Sequence, residues 1–281
     1  KQECMTESYG VPGGYILELI QLVTIAIVQG VTEFLPISSS GHLVLVPIFA
    51  GWPDQGLLID VAVHVGTLGA VTVYLWRDVW RLFRAPFRIG RGTGDPDVRL
   101  LFHLVIATIP VVIAGLLVHK FVGNSLRTIP VIGWTTLIFG LVLYATDRFG
   151  AQFRRMDDME AGAALWIGLS QILALIPGTS RSGITVTVAR LLGYDRREAA
   201  RFSMLLSIPT IIAAGGLAGK DLLESGDSML QYDAVIALCL SFVMALIAII
   251  AMMGWLRHAT FTPFVIYRIG LGLFLLAVAY L

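Results

Sequence analysis

Charge is what this chain has least of. Asp, Glu, Lys and Arg make up 14% of its 281 residues, against about 25% in an average soluble domain. With 57% hydrophobic residues and a mean hydropathy of +0.81, that shortage excludes an ordinary soluble fold. Cysteine is almost missing too: Cys4 and Cys239 are the only two, too few for a disulfide or metal framework. Cys239 lies mid-run and reads as a small core residue; Cys4 lies in a polar stretch. Short segments of alternating polarity are lacking, which excludes a membrane β-barrel. The opening KQECMTESYGVPGG lacks the basic-then-apolar order of a cleavable signal peptide. Met5 reads as a natural start, with Lys1–Cys4 added before it. The net charge of +1 says nothing about partners, so the distribution of charge is read instead; no nucleic-acid partner is expected.

What the chain does have is long apolar runs, at 15–31, 37–50, 57–76, 100–118, 130–147, 161–176, 184–193, 203–219, 234–256 and 263–281. Several reach the roughly 20 residues that a helix needs to cross a bilayer. Only helices satisfy their own backbone polar groups in lipid, so the expectation is an all-α polytopic membrane protein. Runs 37–50, 161–176 and 184–193 are short or broken by Pro, Gly and Ser. They read as parts of two re-entrant helix pairs, 15–50 and 161–193, beside about six transmembrane helices.

Arginine sets the expected orientation. Arg77, Arg81, Arg84, Arg88, Arg91 and Arg99 crowd one connection, Arg148, Arg154 and Arg155 another, and Arg196, Arg197 and Arg201 a third. Arg257 precedes the last run, whereas 220–233 carries Lys220 against Asp221, Glu224, Asp227 and Asp233. Placing the arginine-rich connections in the cytoplasm makes one re-entrant pair enter from outside and the other from inside. Each is followed by three spans, so a single membrane domain, 1–281, reads as inverted repeats over about 15–147 and 160–281. PISSS (36–40) aligns with PGTSR (177–181), and TIPVVIAGLL (108–117) echoes SIPTIIAAGGL (207–217).

The chemistry concentrates in two polar stretches, QGVTEFLPISSSGH (29–42) and PGTSRSGIT (177–185). Gln29 and Glu33 are four apart and share a helix face. Pro36 breaks that helix, and Ser38, Ser39, Ser40 and Gly41 start the next, where backbone amides welcome an anion. His42 is three residues past Ser39, within reach of its hydroxyl on a helical turn. In the second stretch Thr179, Ser180, Ser182 and Thr185 surround Arg181, whose planar fork matches phosphate oxygens. Small polar residues can serve only close helix packing, and Arg181 can simply pair with Glu33. An intramembrane carboxylate, arginine and histidine among so many hydroxyls favour a site.

Other polar residues rank lower. Asp60 and His64, four apart, suit a metal or supporting pair as well as a structural one. Arg268 faces the site or snorkels to the interface. His103, His119 and His258 lie near run ends, where solvated or interfacial histidines are the default, and Trp76, Trp80, Trp134 and Trp255 suit an interfacial belt.

Both polar stretches, with the closing TPFVIYRIGLG, resemble the undecaprenyl-diphosphate phosphatase family, the integral-membrane bacitracin-resistance type. The resemblance implies hydrolysis of undecaprenyl diphosphate to the monophosphate, which recycles the lipid carrier for peptidoglycan synthesis. It also implies a bacterial inner-membrane protein with inverted repeats, two re-entrant pairs and a site open to the periplasm. By position, Glu33, Ser39, His42, Ser180, Arg181 and Thr185 match the family's functional residues. On this reading Glu33, Ser39, His42 and Arg181 are catalytic, and Gln29, Ser38, Ser180, Ser182 and Thr185 bind substrate. A divalent cation, magnesium or calcium, is implied at Glu33. The family's first motif often starts with glutamate; Gln29 cannot act as a base, so such a metal would meet one carboxylate rather than two.

Two chemical routes follow. Ser39 attacks the terminal phosphorus with His42 as base, or water oriented by Glu33 and magnesium attacks directly. A flippase using the same cluster without bond cleavage is the alternative function. The expected partners are the polyprenyl diphosphate and membrane lipids; a homodimer is left open.

Overall fold

The apolar runs fold as expected of sequences that must satisfy their backbones without water. A computed structural model describes residues 12–91, 94–121, 126–224 and 228–281. Cys4, Met5 and the opening residues lie outside the described residues, as do the side chains of His119, Lys220, Asp221 and Glu224. The described residues form eleven α-helices and no multi-residue strand. In order these are α1 (Pro12–Thr32), α2 (Ser39–Ala50), α3 (Gly56–Tyr74), α4 (Trp76–Arg84), α5 (Pro96–Phe121) and α6 (Ile129–Phe149). There follow α7 (Ala161–Ser170), α8 (Arg181–Leu191), α9 (Arg196–Glu224), α10 (Ser228–Trp255) and α11 (Thr262–Tyr280).

Five stretches among the described residues are long and apolar enough to cross a bilayer: Gly56–Tyr74, Pro96–Val118, Ile129–Phe149, Tyr232–Trp255 and Thr262–Tyr280. The sixth expected run belongs to α9, whose first turns carry Arg196, Arg197, Glu198 and Arg201, and it is not among the five. Leu19–Thr32, Ser39–Ala50 and Ala161–Leu175 are apolar but shorter. The connection expected at 77–99 is itself largely helical, with α4 followed by 3-10 turns at Ala85–Arg91.

Helix α10 lies against α1 and α3, α5 lies against α7 and α9, and α6 pairs with α11. Small residues line the close contacts: Ala234, Ala237, Ser241 and Ala245 of α10 are all buried. That choice of inward face turns Cys239 outward, so it is exposed rather than a core residue. The TIPVV and SIPTI echo falls on α5 and α9, which touch each other.

At the arginine-rich end a buried carboxylate ties four helices together. Asp147 of α6 accepts from Arg190 Nε at 3.1 Å, Arg196 Nε at 2.7 Å and the Phe261 amide at 3.1 Å. His103, expected to be solvated or interfacial, is buried near this end, while His258 is exposed.

Candidate functional site

Both polar stretches form a broken-helix tip, for the same local reason. Helix α1 ends at Thr32, and Pro36, having no N–H, cannot carry it further. Ser38 then turns the chain at φ 77° and caps α2, its hydroxyl accepting from the Gly41 amide at 3.3 Å. In the second stretch 3-10 turns at Gln171–Leu175 follow α7, and Gly178 takes φ 91°. Ser180 at φ 72° caps α8, accepting from the Gly183 amide at 3.0 Å. Ser38 and Ser180 are the only non-glycine residues with positive φ among those described. Such a conformation costs on the order of 1–3 kcal/mol and recurs at functional sites. The caps set the register of the two tips: Ser38 corresponds to Ser180, one place off the alignment that the prolines suggest.

The tips meet at Glu33, which is 6% exposed. Arg181 Nη2 lies 2.6 Å from its Oε1, Ser39 Oγ donates to Oε2 at 2.6 Å, and Gln29 Nε2 donates to Oε2 at 2.9 Å. His64 Nε2 stands 3.8 Å from the same oxygen. Ser182 Oγ crosses to the Leu35 carbonyl at 2.9 Å, a second bond between the tips. The first amides of α2 and α8 have no intrahelical acceptor and leave donors at both tips.

Several expected residues are placed differently. His42 does not bond Ser39: its Nδ1 meets the Ser38 carbonyl at 2.7 Å and its Nε2 the Tyr267 hydroxyl at 2.6 Å. The group that accepts from Ser39 is therefore Glu33, because α2 begins at Ser39 and directs its hydroxyl back toward α1. Thr185 is buried, and its hydroxyl bonds the Arg181 carbonyl at 2.9 Å and Ser203 Oγ at 2.7 Å. Asp60 and His64 do not face each other as side chains. His64 Nδ1 meets the Asp60 carbonyl at 2.6 Å, and Gln55 Nε2 donates to Asp60 Oδ1 at 2.7 Å. Both line a cavity of about 180 Å³ together with Ser40, Asp54 and Arg127.

Arg268 of α11 does not snorkel. It is fully buried and donates to four carbonyls: Thr136 at 3.2 Å, Pro36 at 3.1 Å, Gly178 at 3.1 Å and Thr179 at 2.9 Å. One guanidinium thus pins both tips. No carboxylate lies within 4.0 Å of it among the described residues, so its charge is spread over backbone oxygens alone. The helices make room: a β-carbon at Gly183 would stand 2.7 Å from Arg268 Nη1, and one at Gly140 3.0 Å from Arg268 Cβ. Thr135 adds a bond to the Pro177 carbonyl at 2.6 Å. Tyr267, Thr135, Thr136 and Ser203 were not singled out in the sequence. Only Tyr267 carried a signal, as the neighbour of an intramembrane arginine.

Two buried polar atoms at the site have no hydrogen-bond partner, Gln29 Oε1 and Thr179 Oγ1. Buried orphans of this kind call for a ligand or water. No group of three or more His, Cys, Asp or Glu side chains among the described residues could hold a metal. A magnesium ion brought in on phosphate oxygens needs only one or two protein oxygens. Glu33 and the orphaned Gln29 Oε1 fit that lesser demand.

The chain is 53% identical over 267 residues to an undecaprenyl-diphosphatase of Ruegeria pomeroyi, covering 94% of this chain and 100% of the relative. It is 54% identical over 266 residues to one from Jannaschia sp., with the same coverage. The undecaprenyl-diphosphatase 1 of Rhodospirillum rubrum is 49% identical over 270 residues, 94% of this chain and 96% of the relative. Residues 22–274 match the family model for bacitracin resistance protein BacA, so the chain belongs to that family.

Proposed function

We propose that this protein hydrolyses undecaprenyl diphosphate to undecaprenyl phosphate and phosphate in a bacterial inner membrane, recycling the carrier for peptidoglycan synthesis. The observation that carries the reading is the meeting of Glu33, Ser39 and Arg181 across two broken-helix tips. Arg181 and the free amides of α2 and α8 bind the diphosphate, and their charge offsets what develops on the phosphoryl oxygens. Ser39 Oγ attacks the terminal phosphorus as its proton passes to Glu33, and the monophosphate lipid leaves. Water then attacks the phosphoserine and gives its proton to His42, Glu33 returns its proton to Ser39 Oγ, and phosphate departs. His42, held by Ser38 and Tyr267, orients the start of α2 and protonates the departing oxygen. Magnesium or calcium, where present, would be held by Glu33 and Gln29 Oε1 and would offset phosphate charge.

On this reading the site opens through the neighbouring cavity that Ser40 and His64 line with Asp54, Asp60 and Arg127, at the end away from the arginine-rich connections. By the positive-inside rule that end faces the periplasm. Inverted repeats are supported by parallel packing: α1 and α3 lie on α10 as α7 and α9 lie on α5.

The test is phosphate release from undecaprenyl diphosphate by purified protein in detergent, with and without chelator. A pure carrier releases none, and that result would sink the reading. The covalent route predicts a phosphoserine at residue 39, trapped by acid quench and found by mass spectrometry. Turnover by Ser39→Ala near the wild-type rate would transfer the attack to water.

A further inference from the structure

One face of the molecule is used neither by the site nor by the bundle. Helix α4 and the turns after it carry Trp76, Trp80, Phe83 and Phe87, spaced four, three and four apart, which is a single helical stripe. All four are exposed, Phe83 at 65% and Phe87 at 81%. The adjoining stripe is Arg77, Arg81, Arg84 and Arg88. The opposite side holds the segment rigidly. Leu75 and Ala85 are buried, Arg201 pairs with Asp78, and Asp97 takes Arg81 Nε and Arg88 Nη1, both at 3.0 Å.

Arg77 and Arg84 are different. Each lies over an indole, 5.5 Å from the Trp76 ring centroid and 4.6 Å from that of Trp80. Neither has a carboxylate within 4.0 Å among the described residues. Their charge is therefore presented outward, on an aromatic shelf. The shelf starts two residues after one span, Gly56–Tyr74, and leads into the next, Pro96–Val118, so it lies at the bilayer boundary.

We propose that this face docks the acidic phospholipid headgroups of the leaflet at the arginine-rich end. The rings enter the boundary between headgroups and acyl chains, and the Arg77 and Arg84 forks take phosphate oxygens. Two observations select acidic over zwitterionic lipid. Among the described residues the two guanidiniums have no carboxylate within 4.0 Å, and a zwitterionic headgroup cancels its own charge. Each arginine at such a surface favours acidic lipid roughly five-fold. The surface is separate from the hydrolytic site and does not depend on the reaction.

The experiment uses the intact protein in phosphatidylcholine bilayers containing brominated phosphatidylglycerol or brominated phosphatidylcholine at equal fraction. Tryptophan quenching is recorded for wild type and for W76F/W80F, and the difference isolates the two α4 indoles. The expected result is at least five-fold more effective quenching by the acidic brominated lipid. R77Q/R84Q equalises the two lipids, R77K/R84K keeps the preference, and thermal unfolding of all variants stays at the wild-type midpoint. Equal quenching by both lipids in wild type overturns the proposal, leaving only an interfacial helix. Absence of quenching by either lipid overturns it as well, showing the face covered by protein. Preference surviving in R77Q/R84Q assigns the lipid to other residues and likewise overturns it.

Discussion

The two broken-helix tips are alike in backbone and unlike in charge. Each is capped by a serine in the left-handed region, whose hydroxyl accepts from a glycine amide three residues on. Each cap also meets a second serine, Ser38 with Ser40 at 3.4 Å and Ser180 with Ser182 at 3.1 Å. Even the buried glutamines Gln29 and Gln171 hold equivalent places before them. Yet where the first tip has Glu33 the second has Leu175, and where the second has Arg181 the first has Ser39. One backbone device thus serves twice, and the division of acid, nucleophile and cation between the copies makes the site.

Changes that erase the chemical difference are expected to have the largest effects. Ser39→Ala removes the group that the second tip replaces with arginine, and turnover is expected to fall about 10⁴-fold or more, read as phosphate release. Arg181→Gln leaves Glu33 buried without its cation and removes the phosphate fork. A loss of about 10²–10³ in kcat is expected, with KM raised as well. Arg268→Gln strips four carbonyls of their common donor and is expected to cost about 3 kcal/mol of stability, seen as a lower Tm in detergent. Arg268→Lys keeps the charge without the fork and should recover only part of that loss. Gly183→Ala pushes on Arg268 Nη1 through the second tip only, with an expected cost of about 1–3 kcal/mol. The smallest effects test the likeness itself: Ser38→Gly and Ser180→Gly each relieve positive φ and lose a cap. Opposing terms should hold each within about 1 kcal/mol, with Ser180→Gly the worse because its cap is tighter. A large and unequal pair of values would falsify the equivalence of the caps.

What could be read in the sequence follows from what lipid forbids. Glu33, Arg181 and the hydroxyl runs stood out because ionisable groups are expensive at membrane depth. The helical runs stood out because each must be long and apolar. Arg268 was visible, but its partners are backbone carbonyls, which carry no residue signature. The prolines put the register of the tips one place off, because proline marks where a helix breaks, not which residue caps the next. The exposure of Cys239 is not legible because the run in α10 is apolar on every side, so periodicity gives no inward face. Spacing alone aims His42 at Ser39, while its side-chain partner, Tyr267, lies 225 residues away.

Arg268 also bears on the order in which the site comes into being. It stands later in the chain than both tips, yet three of its four bonds hold Pro36, Gly178 and Thr179 to one another. During synthesis the first tip is in the membrane long before the second, and both precede α11. The nascent protein therefore carries every proposed reacting group before it carries the residue that aligns them. Assembly of the site waits for the last helix, and a chain stopped after α10 would hold the chemistry without the geometry.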